Sequence, residues 1–140
     1  MRINVLVSPS ETIPFEFAKV EIQRLGGGIP ALLDIDFSKI RGHCRESSTL
    51  TLDFLFLASI VYAVDKLIPR SNAPDHWTRD LELNLPLVNL NLYSPQKRNI
   101  ELALSFLTGD NWRINSSQLQ HNLIRLRRRK RWRLFNDLMF

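Results

Sequence analysis

Cys44 is the only cysteine in the chain, and His43 stands directly before it. A thiol activated by an imidazole is the simplest nucleophile such a pair could offer, provided the two side chains come within hydrogen-bond reach. Neighbours in an extended segment point to opposite faces, so adjacency alone does not make that pair. A lone cysteine more often packs as a small apolar residue. It also rules out an intrachain disulfide, which fits a reducing cytoplasm. His76 and His121 have no metal-ligand spacing to each other or to Cys44. Asp34 and Asp36 share one face of an extended Ala31–Phe37 segment (ALLDIDF). Two carboxylates so placed could hold a cation or act as an acid and base, but no third ligand stands at a recognisable spacing, and a solvated strand face explains them more simply. Gly26-Gly27-Gly28 could approach a phosphate, yet neither GxxxxGK(S/T) nor GxGxxG surrounds it, and a hairpin turn accounts for it. GxSxG, HExxH and CxxC are absent too. The pattern implies no catalytic residue, no cofactor and no metal.

The other residues with chemistry lie near the C-terminus. Arg125, Arg127, Arg128, Arg129, Lys130, Arg131 and Arg133 form a basic run with Trp132 set among them. Such a run could neutralise phosphates while the indole stacks on a base. The net charge of +5 is concentrated there: residues 121–140 carry +6 and residues 1–120 carry −1. A nucleic-acid-binding body spreads basic residues over a face, so any such contact belongs to a tail, 119–140, and would be weak and sequence-blind.

The elements that must position these residues follow from apolar spacing. With 44% apolar and 24% charged residues, 140 residues suit one domain with its own core. The N-terminus lacks the apolar stretch of a secretory signal. Ile3, Val5 and Val7 alternate as a strand; Phe15, Phe17, Val20 and Ile22 suggest a second, and Ala31–Phe37 a third. Residues 51–68 (TLDFLFLASIVYAVDKLI) predict a long helix buried over most of its circumference, with Leu55, Ile60 and Val64 inaccessible, Asp53 near its positive end and Pro69 stopping it. Only eleven residues separate Asp53 from Asp65, too few to cross a bilayer, so no membrane contact is expected. Trp77–Leu87 alternates as a strand whose Pro86 places its far end at an edge or bulge. Pro95 opens a helix over about 96–107, with Ile100, Ala103, Leu104 and Leu107 on one face and Gly109 as a left-handed cap. Trp112–Asn115 begins a last strand. The whole predicts an α+β fold: one domain over 1–118, a mostly antiparallel sheet packed by the helices at about 51–68 and 96–107. Trp77, Arg79 and Asp80, between a proline loop and a regular strand, are candidate interaction residues. Arg79 is expected to pair with Asp53, Asp65 or Asp110.

Four stretches together resemble a known family. They are Asp34-Ile35-Asp36-Phe37; Asp53-Phe54-Leu55 leading to Tyr62-Ala63-Val64-Asp65-Lys66 and Arg70; Asp75-His76-Trp77-Thr78-Arg79-Asp80-Leu81-Glu82-Leu83; and Leu104-Ser105-Phe106-Leu107-Thr108-Gly109-Asp110-Asn111-Trp112. This ordered set, over about residues 30–115, is similar to the N-terminal region of QueC-like proteins of bacterial anti-phage defence, relatives of 7-cyano-7-deazaguanine synthase. None of the stretches is a catalytic motif. The resemblance implies an accessory or interaction domain with protein partners from a defence operon. In that family the region precedes an ATP-binding PP-loop domain marked by SGGxDS, a motif this sequence lacks. No ATP-binding residue is therefore carried over.

Overall fold

Strands form where apolar residues alternate, and a computed structural model describes residues 1–7, 17–36 and 49–118. The strands are β1 (Arg2–Val7), β2 (Phe17–Leu25), β3 (Ala31–Asp36), β4 (Asp80–Leu87) and β5 (Asn111–Gln118). They make one sheet in the order β3-β2-β1-β4-β5. β2 pairs antiparallel with both β1 and β3, whereas β4 pairs parallel with both β1 and β5. Parallel neighbours need a crossover. The long helix α1 (Thr49–Leu67) connects β3 to β4, and the short α2 (Leu90–Tyr93) with α3 (Lys97–Thr108) connects β4 to β5. The α+β class expected from the sequence is the one the chain adopts. Its sheet is mixed, with an antiparallel half and a parallel half, because period-two alternation reports which face is buried and not the direction of a neighbour.

One face of the sheet is apolar. Ile3, Leu83 and Ile114 lie in register across β1, β4 and β5, as do Val5 and Ile22 across β1 and β2. Leu81, Leu85, Leu87 and Trp112 extend the same face. Phe56, Leu57, Ile60, Ala63 and Val64 of α1 cover it at helical spacing. The opposite face is polar and cross-linked by side chains. Arg2 Nε donates to Glu82 at 2.9 Å, Asn84 Nδ2 to Asn4 Oδ1 at 2.6 Å, and Asn115 Nδ2 to Asn84 Oδ1 at 3.1 Å. Pro86 is tolerated in a strand with neighbours on both sides for a local reason. Glu82 donates its N–H toward β1, so by alternation the missing N–H of Pro86 points the same way. The β1 ladder covers only Glu82 to Asn84 and has ended there.

Three expectations are corrected. Helix α1 is not buried around most of its circumference: Leu55 is half-buried rather than inaccessible, and Phe54 and Tyr62 stand exposed. A single sheet face can cover only one side of a helix. In α3, Ile100 and Leu104 pack on the core, but Ala103 and Leu107 face outward. That helix lies along the edge of β5, where Glu101 Oε1 accepts the backbone N–H of Ile114 at 2.8 Å, and the contact stripe is correspondingly narrow. Trp77–Arg79 is loop, with β4 beginning at Asp80. Gly109 is the left-handed cap expected of it, with φ 72°, and its N–H bonds the Ser105 carbonyl.

Candidate functional site

The most chemically dense place in the described structure is a buried ion cluster at the end of the sheet where β4 and β5 begin. Arg79 immediately precedes β4 and is only 3% exposed. Its Nε donates to Asp110 Oδ1 at 3.1 Å, and its Nη2 reaches both Asp110 Oδ2 and Asp65 Oδ1. Its Nη1 donates to the carbonyls of Asp65 at 3.1 Å and Ile68 at 2.6 Å. These bonds use all five guanidinium N–H groups. The last two satisfy carbonyls left without partners at the C-terminal end of α1, where a cation is favoured. Asp110, just ahead of β5, also accepts the backbone N–H of Arg79 at 3.0 Å. Arg70, in a turn of 3-10 helix after α1, adds Nη1 to Asp110 Oδ1 at 3.1 Å and Nη2 to Oδ2 at 3.3 Å.

The electrostatics follow. Burial by itself would raise the Asp110 carboxyl, but the side-chain and backbone hydrogen bonds from Arg79, and the charges of Arg79 and Arg70, outweigh it and hold the group below its usual range. Arg79 is raised in turn, first by its bond to Asp110, against the cost of burial. Both shifts favour the charged forms of Arg79 and Asp110 as a pair. No buried side-chain nitrogen or oxygen among the described residues lacks a hydrogen-bond partner.

The expected ion pair of Arg79 thus forms, with Asp65 and Asp110. Asp53 lies at the other end of α1, where it accepts Val88 N, Asn89 N and Asn89 Nδ2 at 3.0, 2.7 and 2.8 Å. Next to it, burial and the Asp53 charge push the Tyr93 phenol up to about 12. All of the guanidinium N–H groups of Arg79 are bonded within the fold, and the residue joins the end of α1 to the starts of β4 and β5. Asp80 is exposed and accepts Asn111 Nδ2 at 2.8 Å.

Trp77 differs from both. It is 67% exposed, yet its backbone is fixed at each end. Its N–H bonds Asp75 Oδ1 at 3.0 Å, its carbonyl accepts Arg70 Nη1 at 2.7 Å, and its ring lies 5.3 Å from the Arg70 guanidinium. The two backbone N–H groups of Trp77 and Thr78 also hold the Asp75 carboxyl below its usual range. The other nitrogen of Arg70 bonds the Thr108 carbonyl at 2.7 Å. One guanidinium therefore ties the Trp77 loop to the last turn of α3, which displays Phe106 at 88% and Leu107 at 76% exposure. Sequence reasoning missed these two, and placed Leu107 on the core face. The available signal was that Phe106 falls off the stripe set by Ile100 and Leu104. Arg70 was seen only as part of a resemblance, since nothing local announces a clamp between residues 77 and 108.

The remaining candidates are not brought together. Asp34 and Asp36 are exposed on edge strand β3, away from the ion cluster. Gly26, Gly27 and Gly28 make the β2–β3 turn, with φ of 122°, 111° and 117°. Cys44, His43, His121 and the tail residues Arg125, Arg127, Arg128, Arg129, Lys130, Arg131, Trp132 and Arg133 lie outside the described residues. Among the described residues no three His, Cys, Asp or Glu side chains are placed to hold a metal, and no helix is long and apolar enough to cross a membrane. A depression of about 20 Å³ between the β2–β3 hairpin and the end of α1, lined by Ile22, Ala31, Val64 and Leu67 among others, has room for about one water. No protein-family model, curated protein or solved structure matches the chain.

Proposed function

We propose that this chain is a non-catalytic interaction domain that docks a protein partner, similar in role to the N-terminal region of defence-associated QueC-like proteins. One observation carries the reading: Trp77 is exposed while its backbone is bonded to Asp75 and Arg70 and its ring lies 5.3 Å from the Arg70 guanidinium. Aromatic anchors held in place before binding contribute most to interfaces, because little freedom is lost on association. Phe106 and Leu107, tied to the same end through Arg70, extend the apolar surface. The buried charges support the reading from the other side, since Arg79, Asp65 and Asp110 are engaged with one another. The partner on this reading is a cytoplasmic protein carrying a PP-loop domain, encoded in the same defence operon.

The test is co-purification with such a PP-loop protein from the same gene neighbourhood. The expected result is a stable complex that Trp77→Ala and Phe106→Asp each weaken by about tenfold or more. Wild-type affinity in both variants would refute the docking surface, and the absence of any complex would refute the lineage. Tight binding of ATP with magnesium to the chain alone, read by calorimetry, would refute the non-catalytic role. The concentration of +6 charge in residues 121–140 supports a second reading, polyanion binding by the tail.

A further inference from the structure

Two arginines bond the Asp110 carboxylate, and they serve different ends. Arg79 engages both of its oxygens and is 3% exposed. Arg70 reaches the same oxygens at 3.1 and 3.3 Å, but its shorter bonds, both 2.7 Å, go to the carbonyls of Trp77 and Thr108. Its side chain is 31% exposed. Without Arg70, Asp110 keeps its buried counter-ion. Among the described residues, no other group donates to the Trp77 or Thr108 carbonyl.

The segment from Arg70 to Thr78 has little else to hold it. Ala73 is its one buried residue, and it does not belong to the core cluster. The backbone N–H groups of Asn72, Ala73 and His76 donate to the carbonyls of Pro69, Arg70 and Ala73. Those of Trp77 and Thr78 donate to Asp75, and His76 Nδ1 lies 3.0 Å from the Ser71 carbonyl. These bonds shape the segment, and none of them ties it to the sheet, to α1 or to α3. Among the described residues, the hydrogen bonds that do so are those of the Arg70 side chain.

We infer that Arg70 is a clasp that holds residues 70–78 on the domain and thereby positions Trp77, a role separable from the stability of the ion cluster. The purpose of the clasp rests on the docking reading; its existence is a property of the free chain. A planar guanidinium can meet two carbonyls and a carboxylate at once while lying beside an indole, 5.3 Å away here. A lysine keeps the charge but cannot span both carbonyls from one nitrogen. The Thr108 carbonyl belongs to the last turn of α3, where carbonyls lack helical partners, so the clasp also satisfies a group the helix leaves open. Opening it frees Trp77 while Arg79, Asp65 and Asp110 stay paired. A partner then meets a mobile indole and must order it, which weakens docking.

The test uses the full chain with no partner present, so its result stands apart from that of the co-purification. The chain is labelled with 5-fluorotryptophan, and the resonances of its three tryptophans, Trp77, Trp112 and Trp132, are assigned with Trp77→Phe and Trp132→Phe. In Arg70→Gln the Trp77 resonance should narrow by about twofold or more and move toward that of the free amino acid, because fast local motion averages it. The resonance of the buried Trp112 should stay in place. Arg70→Lys should leave Trp77 equally released, and both variants should lower the thermal midpoint less than Arg79→Gln does. A Trp77 resonance unchanged in Arg70→Gln, its restoration by lysine, or loss of the Trp112 resonance together with it would each overturn the inference.

Discussion

Replacing Asp110 by Asn is the sharpest probe of how the two halves of the domain are joined. The side chain of Asp110 is fully buried and accepts five N–H groups from Arg79 and Arg70. An amide of the same shape removes the charge and turns an NH2 group toward guanidinium donors. Arg79, itself 3% exposed, is then left buried with only Asp65 as counter-ion, and Asp65 is one-third exposed. Breaking one partner of a buried pair costs about 3–5 kcal/mol, because the remaining charge stays desolvated. Against a total stability of about 5–15 kcal/mol that is a large fraction. Urea unfolding followed by tryptophan fluorescence should show the midpoint fall with the slope unchanged. The double variant Arg79→Met/Asp110→Leu removes both charges, and should lose less than the two single losses added together, with a coupling of about 2 kcal/mol. It will not return to wild type, because the Asp65 and Ile68 carbonyls lose their donors. The sign with pH is fixed. The folded Asp110 carboxyl lies below its ordinary value of 3.8, so its contribution is present above that value and disappears as pH falls through the folded one. The gap between wild type and Asp110→Asn should close in acid. Coupling under about 0.5 kcal/mol, or a gap that persists in acid, would refute the idea that the cluster acts as one unit.

Three other outcomes are expected. Ile60→Ala, at a fully buried site, should cost about 2–5 kcal/mol in the same titration, and Leu55→Ala, half-buried at the margin of the core, should cost clearly less. In a Tyr62→Phe background Tyr93 is the sole phenol, and its ultraviolet titration should centre near pH 12; because that value exceeds the ordinary 10.0, stability should fall as pH rises between the two. Deleting residues 119–140 should leave the fold intact and abolish binding to unrelated oligonucleotides, while the full chain should show a log–log salt slope no steeper than about −6 on duplex DNA.

Much of this architecture was legible because burial and alternation are the same fact seen twice. Leu81, Leu83, Leu85 and Leu87 announce β4 without help from any other residue. The cap at Gly109 follows from the only residue type that tolerates its φ freely. Helix α1 was read correctly as a helix and incorrectly as an interior one. An element apolar on all sides is ordinarily buried on all sides, and the sequence does not say whether the second cover comes from the same chain. The stripe of α3 was misassigned because Ile100, Ala103, Leu104 and Leu107 fit one helical face equally well. Only the position of the helix at the sheet edge decides that Ile100 and Leu104 make the contact. The ion cluster was half legible. A strand-flanking arginine with acids elsewhere suggests a pair, but residues 65, 70, 79 and 110 meet only after three connections have been folded.

What these particulars imply together concerns how firmly α1 is held. At its C-terminal end, Arg79, the residue before β4, bonds the Asp65 and Ile68 carbonyls. Near its N-terminal end, Asp53 receives the backbone N–H groups of Val88 and Asn89, the residues just after β4. The same strand is therefore tied to the same helix at both of its ends, and both ties oppose rolling or sliding of the apolar packing between them. A rotation that turned Phe54 and Tyr62 inward would expose Phe56, Ile60 and Val64 instead and break both ties. The polar staples thus have a consequence beyond stability: they keep apolar side chains on the outside in a fixed orientation, which reduces the ordering cost of any later contact. The same logic applies at Trp77, where Arg70 plays the part that Asp53 and Arg79 play for the helix. In each place buried or half-buried charge stands behind an exposed aromatic, and the proposed docking role rests on that coupling.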